Sequence, residues 1–122
     1  MKICITSTGD NLDSNVDPRF GRCRYFIIYN TDTDEFEAME NDSREAMGGA
    51  GISAAQNIVS KNVQAVLSGH FGPNAFKVLQ SASVKLYSNV SGTVRTAIAE
   101  FKNNDLKILS SPDAPSHFGM GN

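Results

Sequence analysis

The pattern of short apolar runs along the chain most strongly constrains how it can fold. Three runs near the start, 2–6, 24–29 and 35–40, predict strands, because they are short and either rich in β-branched and aromatic residues or alternating in polarity. Two more runs, 63–67 and 84–87, are interleaved with segments whose apolar residues recur at helical spacing. The order β-β-β-α-β-α-β-α predicts an α/β fold, in which a front hairpin and later parallel strands form a mixed five-stranded sheet covered by helices.

Size and composition predict one soluble domain. The 122 residues are 40% hydrophobic and 20% charged, which suits a single core that needs no disulfide staples. We expect a domain over residues 1–109 and a flexible tail over 110–122, where prolines and glycines interrupt the pattern. No signal peptide and no apolar run of about 18 residues is seen, so we expect a cytoplasmic protein without a membrane partner.

A local cationic patch stands out against an acidic chain. Arg19, Arg22 and Arg24 lie within six residues, although the net charge is −2. That net charge disfavours binding to nucleic acid, and we expect no nucleic-acid partner. Guanidinium groups suit delocalised anions, so the loop 17–23 is a candidate anion site. The alternative is an ordinary surface whose charge is neutralised by the upstream aspartates 10, 13 and 17.

A glycine-rich turn after the fourth predicted strand forms a second candidate segment. It contains Gly69, His70, Gly72 and Asn74, and Pro73 favours a helix start there. Ligands of open α/β sheets gather at the carboxyl ends of strands, and a helix N-terminus offers unpaired N–H groups to anions. His70 is also a candidate metal ligand. Two alternatives stay open. The glycines could serve only to start the helix, and His70 could have only a packing or helix-capping role.

The two cysteines differ in their predicted roles. Cys23 lies beside the arginine patch, whose charges favour a thiolate, so it is a candidate ligand for a soft metal. A buried, inert thiol is the alternative for Cys23 and the expectation for Cys4, which lies inside the first strand. His117, in the tail, either covers a ligand or belongs to a disordered end.

Several signatures of catalysis and of metal cages are missing from the sequence. There is no C-x-x-C, no calcium-binding loop of the EF-hand type and no G-x-S-x-G, and the first strand offers no carboxylate for a Mg²⁺ pair. We therefore predict that the protein is not an enzyme. A residual nuclease is the least favoured reading.

A set of short phrases, in order along the chain, resembles the dinitrogenase iron–molybdenum cofactor biosynthesis family. This family includes the NifX and NafY carriers, the C-terminal domain of NifB and small stand-alone homologues. The phrases are Met1-Lys2-Ile3, Asp17-Pro18-Arg19-Phe20-Gly21-Arg22-Cys23, Gly49-Ala50-Gly51-Ile52, Gly72-Pro73-Asn74-Ala75-Phe76 and Gly92-Thr93-Val94.

The resemblance implies a three-layer α/β/α sandwich of ribonuclease-H-like type, with sheet order 3-2-1-4-5 and no hydrolase activity. It also implies a carrier that holds an iron–molybdenum–sulfur or molybdenum–copper–sulfur cluster non-covalently and passes it to a metal-cluster biosynthesis or acceptor protein. By position, Arg19, Gly21 and Arg22 match one family loop, and Gly72, Pro73 and Asn74 match another. We expect a monomer or weak dimer. The alternative function is a protein–protein interaction module in which metal has no role.

Overall fold

The computed structural model describes residues 1–45 and 48–113. Within them, every predicted strand and helix is present in the predicted order. The strands are β1 Lys2–Ser7, β2 Tyr25–Asn30, β3 Phe36–Glu40, β4 Ala65–Leu67 and β5 Lys85–Tyr87. The helices are α1 Ala50–Val59, α2 Pro73–Ser81 and α3 Val94–Lys102.

The strands form one mixed sheet in the order β3-β2-β1-β4-β5, as predicted. β1 is central: it pairs antiparallel with β2, where Cys4 faces Ile28, and parallel with β4, where Cys4 faces Val66. β2 and β3 complete an antiparallel hairpin, while β4 and β5 are parallel. The carboxyl ends of β1, β4 and β5 therefore lie at the same edge of the sheet.

Side chains of β1 point alternately into two cores. Cys4 belongs to the core beneath α1 and α2, whereas Ile3 and Ile5 belong to the core beneath α3. This alternation follows from the two-residue period of a strand. The three-layer α/β/α arrangement is thereby confirmed, with α1 and α2 on one face of the sheet and α3 on the other.

The chain beyond α3 returns to the open edge of the sheet. Ile108 forms an antiparallel bridge with Tyr87, and the Leu109 amide donates to the Leu86 carbonyl at 2.7 Å. Leu109 also packs against the core beneath α1 and α2. The flexible tail over 110–122 stays a prediction; its last nine residues, His117 included, lie outside the described residues.

None of the helices in the described ranges combines the length and the hydropathy that crossing a bilayer requires.

Three phenylalanines anchor the polar segment between β1 and β2 to the core. The Phe20 ring lies 5.5 Å from the Phe26 ring and 5.5 Å from the Phe71 ring, measured between centroids, and all three side chains are fully buried. Phe20 thus inserts the arginine-bearing loop into the core beside the turn that follows β4. The loop is therefore packed against the core at Phe20.

Replacing Phe20 by alanine should lower the free energy of unfolding by about 3–5 kcal/mol, because the change leaves a cavity in a packed aromatic cluster. Phe36, 42% exposed on the edge strand, is the matched control; Phe36→Ala should cost about 1 kcal/mol or less. Urea denaturation followed by circular dichroism measures both. Equal losses in the two variants would show that Phe20 does not anchor the loop.

Candidate functional site

The site begins at the carboxyl ends of β1 and β4, where two buried hydroxyl groups meet. The Thr6 hydroxyl donates to the Asp17 carbonyl at 2.7 Å and lies 2.9 Å from the Ser68 hydroxyl. The Asp17 amide donates back to the Thr6 carbonyl at 3.0 Å. Buried polar groups need such partners, so these bonds hold the loop 17–23 directly above the end of β1.

Backbone pairing joins this loop to the turn after β4. The His70 amide donates to the Pro18 carbonyl at 2.8 Å, and the Phe20 amide donates to the His70 carbonyl at 3.3 Å. Arg19 and His70 consequently form a parallel bridge. The loop 17–23 and the turn 69–74 together are called the rim below.

Gly69 makes the close approach within the rim feasible. A Cβ atom at this position would lie 2.6 Å from the Pro18 Cα and 2.7 Å from the Pro18 carbonyl oxygen, closer than real contacts allow. Only glycine leaves room for the second backbone. The sequence places Gly69 in a candidate anion-binding turn, and the structure gives it a packing role there.

The N-terminus of α1 closes the other side of the loop. A Cβ atom at Gly21 would lie 3.0 Å from both the Cα and the amide nitrogen of Gly51, in the first turn of α1. The buried Asn41 amide group donates to the carbonyls of Gly21 and Cys23 at 3.0 Å each. The loop therefore lies between the N-termini of α1 and α2.

Neither of these two helix N-termini has a side-chain cap among the described residues. Gly49 precedes α1 and Gly72 precedes α2, and glycine carries no capping group. By contrast, the Thr93 hydroxyl caps α3 by accepting from the Thr96 amide at 3.1 Å. Within the described residues, the first-turn amides of α1 and of α2, apart from Pro73, which has no N–H, are thus available to an external acceptor.

The three arginines of the cationic patch have different surroundings. Arg19 is exposed at the rim, and its amide donates to the Asp17 carboxylate at 3.0 Å. The half-buried Arg22 donates from its guanidinium to the Arg44 carbonyl. The exposed Arg24 guanidinium lies 5.8 Å from the centre of the Tyr25 ring.

The upstream aspartates only partly neutralise this patch. Asp13 pairs with Arg95 Nε at 3.0 Å, at the start of α3. Asp17 is the carboxylate closest in the chain to Arg19; burial raises its pKa, against the lowering effects of the Arg19 amide and charge. Asp10 accepts from the Asn11 side chain at 3.4 Å. Of the three upstream aspartates, Asp17 is thus the one that the structure places beside Arg19.

His70 lies at the rim with a carboxylate beside it. Its side chain is 37% exposed, and its Nδ1 lies 3.7 Å from the Asp113 carboxylate. The Phe71 amide donates to the other oxygen of that carboxylate at 2.8 Å. His70 is thus placed where it could reach an external ligand.

The expectation for Cys23 requires a correction. Cys23 is fully buried in the core beneath α1 and α2, and burial raises the pKa of its thiol well above its usual value. Cys4 and Asp17 act in the same direction as smaller causes. Nearness to arginines in sequence did not bring their charge to the sulfur, so the predicted thiolate is wrong and the structure favours the inert alternative.

Four residues of the site escaped the sequence analysis. Thr6 and Ser68 carried a usable signal, since a hydroxyl residue follows or ends each of two apolar strands. Asn41 and Asp113 carried none, because isolated polar residues in loops are common. Their roles depend on contacts between parts of the chain that are 18 and 42 residues apart.

The donors at the rim suit an anion better than a bare cation. No group of three or more histidine, cysteine, aspartate or glutamate side chains gathers within residues 1–45 and 48–113. What the rim and the adjacent start of α1 present instead is guanidinium charge, an imidazole and N–H groups of two helix N-termini. Such donors form charge-assisted hydrogen bonds with anions.

Both cysteines should be unreactive in the folded protein. At about pH 8 a free thiol of ordinary pKa reacts readily with Ellman's reagent, but burial raises the pKa of Cys4 and of Cys23 and shields both sulfurs. We expect negligible colour without denaturant and two thiols per chain in concentrated urea. Fast reaction of one thiol in the native protein would show that Cys23 is accessible.

Comparison with known proteins places this geometry in a family. A family model described as dinitrogenase iron-molybdenum cofactor matches residues 1–104. The apo form of the orange protein from Desulfovibrio gigas superposes with a TM-score of 0.90 at 35% identity, covering 93% of this chain and 96% of that one. A candidate NifB protein from Thermotoga superposes with a TM-score of 0.81 at 38% identity, over 93% and 97% of the two chains.

A curated but uncharacterised protein of Methanocaldococcus jannaschii is 27% identical over 111 residues, which are 88% of this chain and 94% of that protein. Because the family match spans nearly all the described residues, and the rim segments lie within it, the chain belongs to the dinitrogenase iron–molybdenum cofactor family.

Proposed function

We propose that the protein is a non-enzymatic carrier that binds an anionic metal–sulfur cluster as cargo at the rim. The observation that carries the proposal is the backbone bridge between Arg19 and His70, which joins the cationic loop to the turn at the start of α2. Family membership and the likeness to the orange protein and to the NifB candidate support a role in metal-cluster cofactor biosynthesis.

The chemistry of the rim explains why a sulfide-rich cluster is a suitable cargo. Terminal and bridging sulfides carry delocalised negative charge, which guanidinium groups match better than a strongly hydrated ammonium does. We assign Arg19, Gly21, Arg22, Gly69, His70, Gly72 and Asn74 as the residues around the cargo. In this arrangement the arginines supply charge, the first turns of α1 and α2 supply N–H donors, and His70 is the candidate among the described residues for a direct bond to metal.

Weak individual bonds suit transfer of the cargo. Four thiolates hold a metal so firmly that release requires protonation or exchange of several strong ligands. A rim of hydrogen-bond donors releases its cargo more readily, because each hydrogen bond contributes only modestly to binding and the bonds can break one after another. This favours handing the cluster to a metal-cluster acceptor protein in the cytoplasm. The cargo is of the iron–molybdenum–sulfur or molybdenum–copper–sulfur type.

Binding of tetrathiomolybdate with and without Cu(I) tests the proposal. The apo protein should retain molybdenum through gel filtration and gain visible absorption. Arg19→Ala should weaken binding about tenfold or more, because a hydrogen bond to a charged group contributes about 1.5–3 kcal/mol. Arg95→Ala, on the opposite face of the sheet, is the matched control and should bind like the wild type.

Arg22→Lys adds a second arm that does not remove a half-buried charge. Lysine keeps the positive charge but lacks the planar fork, so intermediate weakening is expected. Thermal denaturation verifies that each variant is folded. Failure of the wild-type protein to retain any molybdenum would refute cargo binding and leave protein–protein docking as the better account.

A further inference from the structure

The segment after α3 delivers a carboxylate to the rim. Ile108 and Leu109 pair with the backbone of β5, and Asp113 follows four residues later. The Asp113 carboxylate accepts from the Phe71 amide at 2.8 Å, while the Asp113 amide donates to the Phe71 carbonyl at 3.3 Å. Asp113 is therefore held by its backbone and its side chain to the turn that carries His70.

The contact between Asp113 and Phe71 places a negative charge at the turn where the proposed anionic cargo would bind. The second carboxylate oxygen of Asp113 lies 3.7 Å from His70 Nδ1, and His70 is bridged to Arg19. The Phe71 amide and the Arg19 guanidinium are groups to which an incoming anion would bind. Because like charges repel strongly at a partly buried site, Asp113 and a polyanionic cargo compete for the same turn.

The contact is also arranged so that it can open. Residues 110–112, between the Leu109 anchor and Asp113, are exposed, with no bond to the core of the kind that Leu109 makes. Within residues 1–45 and 48–113, releasing Asp113 breaks its two hydrogen bonds to Phe71 and its contact with His70, while the residues of both cores keep their packing. Such peripheral contacts belong to the parts of a fold that open most readily.

We propose that the Asp113 carboxylate is an intramolecular counter-anion, an inference that rests on the proposed function. Asp113 accepts from the Phe71 amide in the apo protein and is displaced when the anionic cargo binds. The apparent affinity for cargo is then reduced by the fraction of molecules in which Asp113 is docked. The same contact discriminates against small anions of single charge, which cannot displace a carboxylate that the chain itself supplies at high effective concentration.

Titration with tetrathiomolybdate compares the wild type with Asp113→Asn and with Asp105→Asn. Asp105 follows the far end of α3 and is exposed, so its variant carries the same change of charge away from the rim. Asp113→Asn should bind about fivefold tighter or more, in the range usual for coupled contacts. Asp105→Asn should stay within about twofold of the wild type.

Amide hydrogen exchange in the apo protein provides a readout that needs no cargo. The Phe71 amide should exchange about tenfold faster or more in Asp113→Ala than in the wild type, because its acceptor is gone. In the wild type, saturating tetrathiomolybdate should accelerate exchange of the Asp113 amide, which is released together with the side chain.

The outcomes separate the two proposals. If the wild type binds and Asp113→Asn binds equally, or more weakly, the displacement is refuted while the carrier function stands. If neither the wild type nor the two variants bind, the carrier function is refuted and the competition falls with it. Unchanged exchange at Phe71 in Asp113→Ala would by itself overturn the docked state of Asp113.

Discussion

The candidate site depends on one short stretch of backbone pairing between two loops. The carbonyl of Pro18 and the amide of Phe20 each bond to the backbone of His70, and the missing side chain of Gly69 allows the loops to touch. Without this pairing, the arginine-bearing loop and the start of α2 would be separate surface features. With it, the guanidinium of Arg19, the imidazole of His70 and the donors of a helix start share one rim.

The rest of the fold places those two loops next to each other. β1 and β4 are parallel neighbours, so their carboxyl ends lie at the same edge, and the buried hydroxyls of Thr6 and Ser68 meet there. Phe20 then secures the loop in the core through its contacts with Phe26 and Phe71. Apolar burial supplies the stability of the arrangement, while hydrogen bonds determine its geometry.

The rim combines a loop that is fixed to the core with a carboxylate that can be released. The loop 17–23 is held by buried bonds at Asp17 and Asn41, whereas Asp113 reaches the rim from a segment at the edge of the sheet. Binding a cluster without a cage of thiolates requires a stable set of hydrogen-bond donors and a group that occupies them when no cluster is bound. We propose that the loop 17–23 supplies the donors and that Asp113 covers them in the apo protein.

The sequence predicted the architecture well because strand and helix periodicities are local. It also singled out Arg19 and the glycine-rich turn after β4, since loops that follow strands bring their residues to one edge of an α/β sheet. The error at Cys23 has a physical cause. Arg22 and Arg24 are neighbours of Cys23 in the chain, but the Cys23 side chain is buried in the core, where burial raises the pKa of its thiol.

By itself, the sequence determined the order of strands and helices, the cationic character of the loop and the absence of a thiolate cage motif. Only the tertiary structure decided that Arg19 bridges His70, that Gly69 is required by Pro18, and that Asp113 caps Phe71. The reason is that local periodicity follows from the backbone of each element. Contacts between segments some 40 to 50 residues apart depend instead on how the sheet edge gathers its loops, which no single segment encodes.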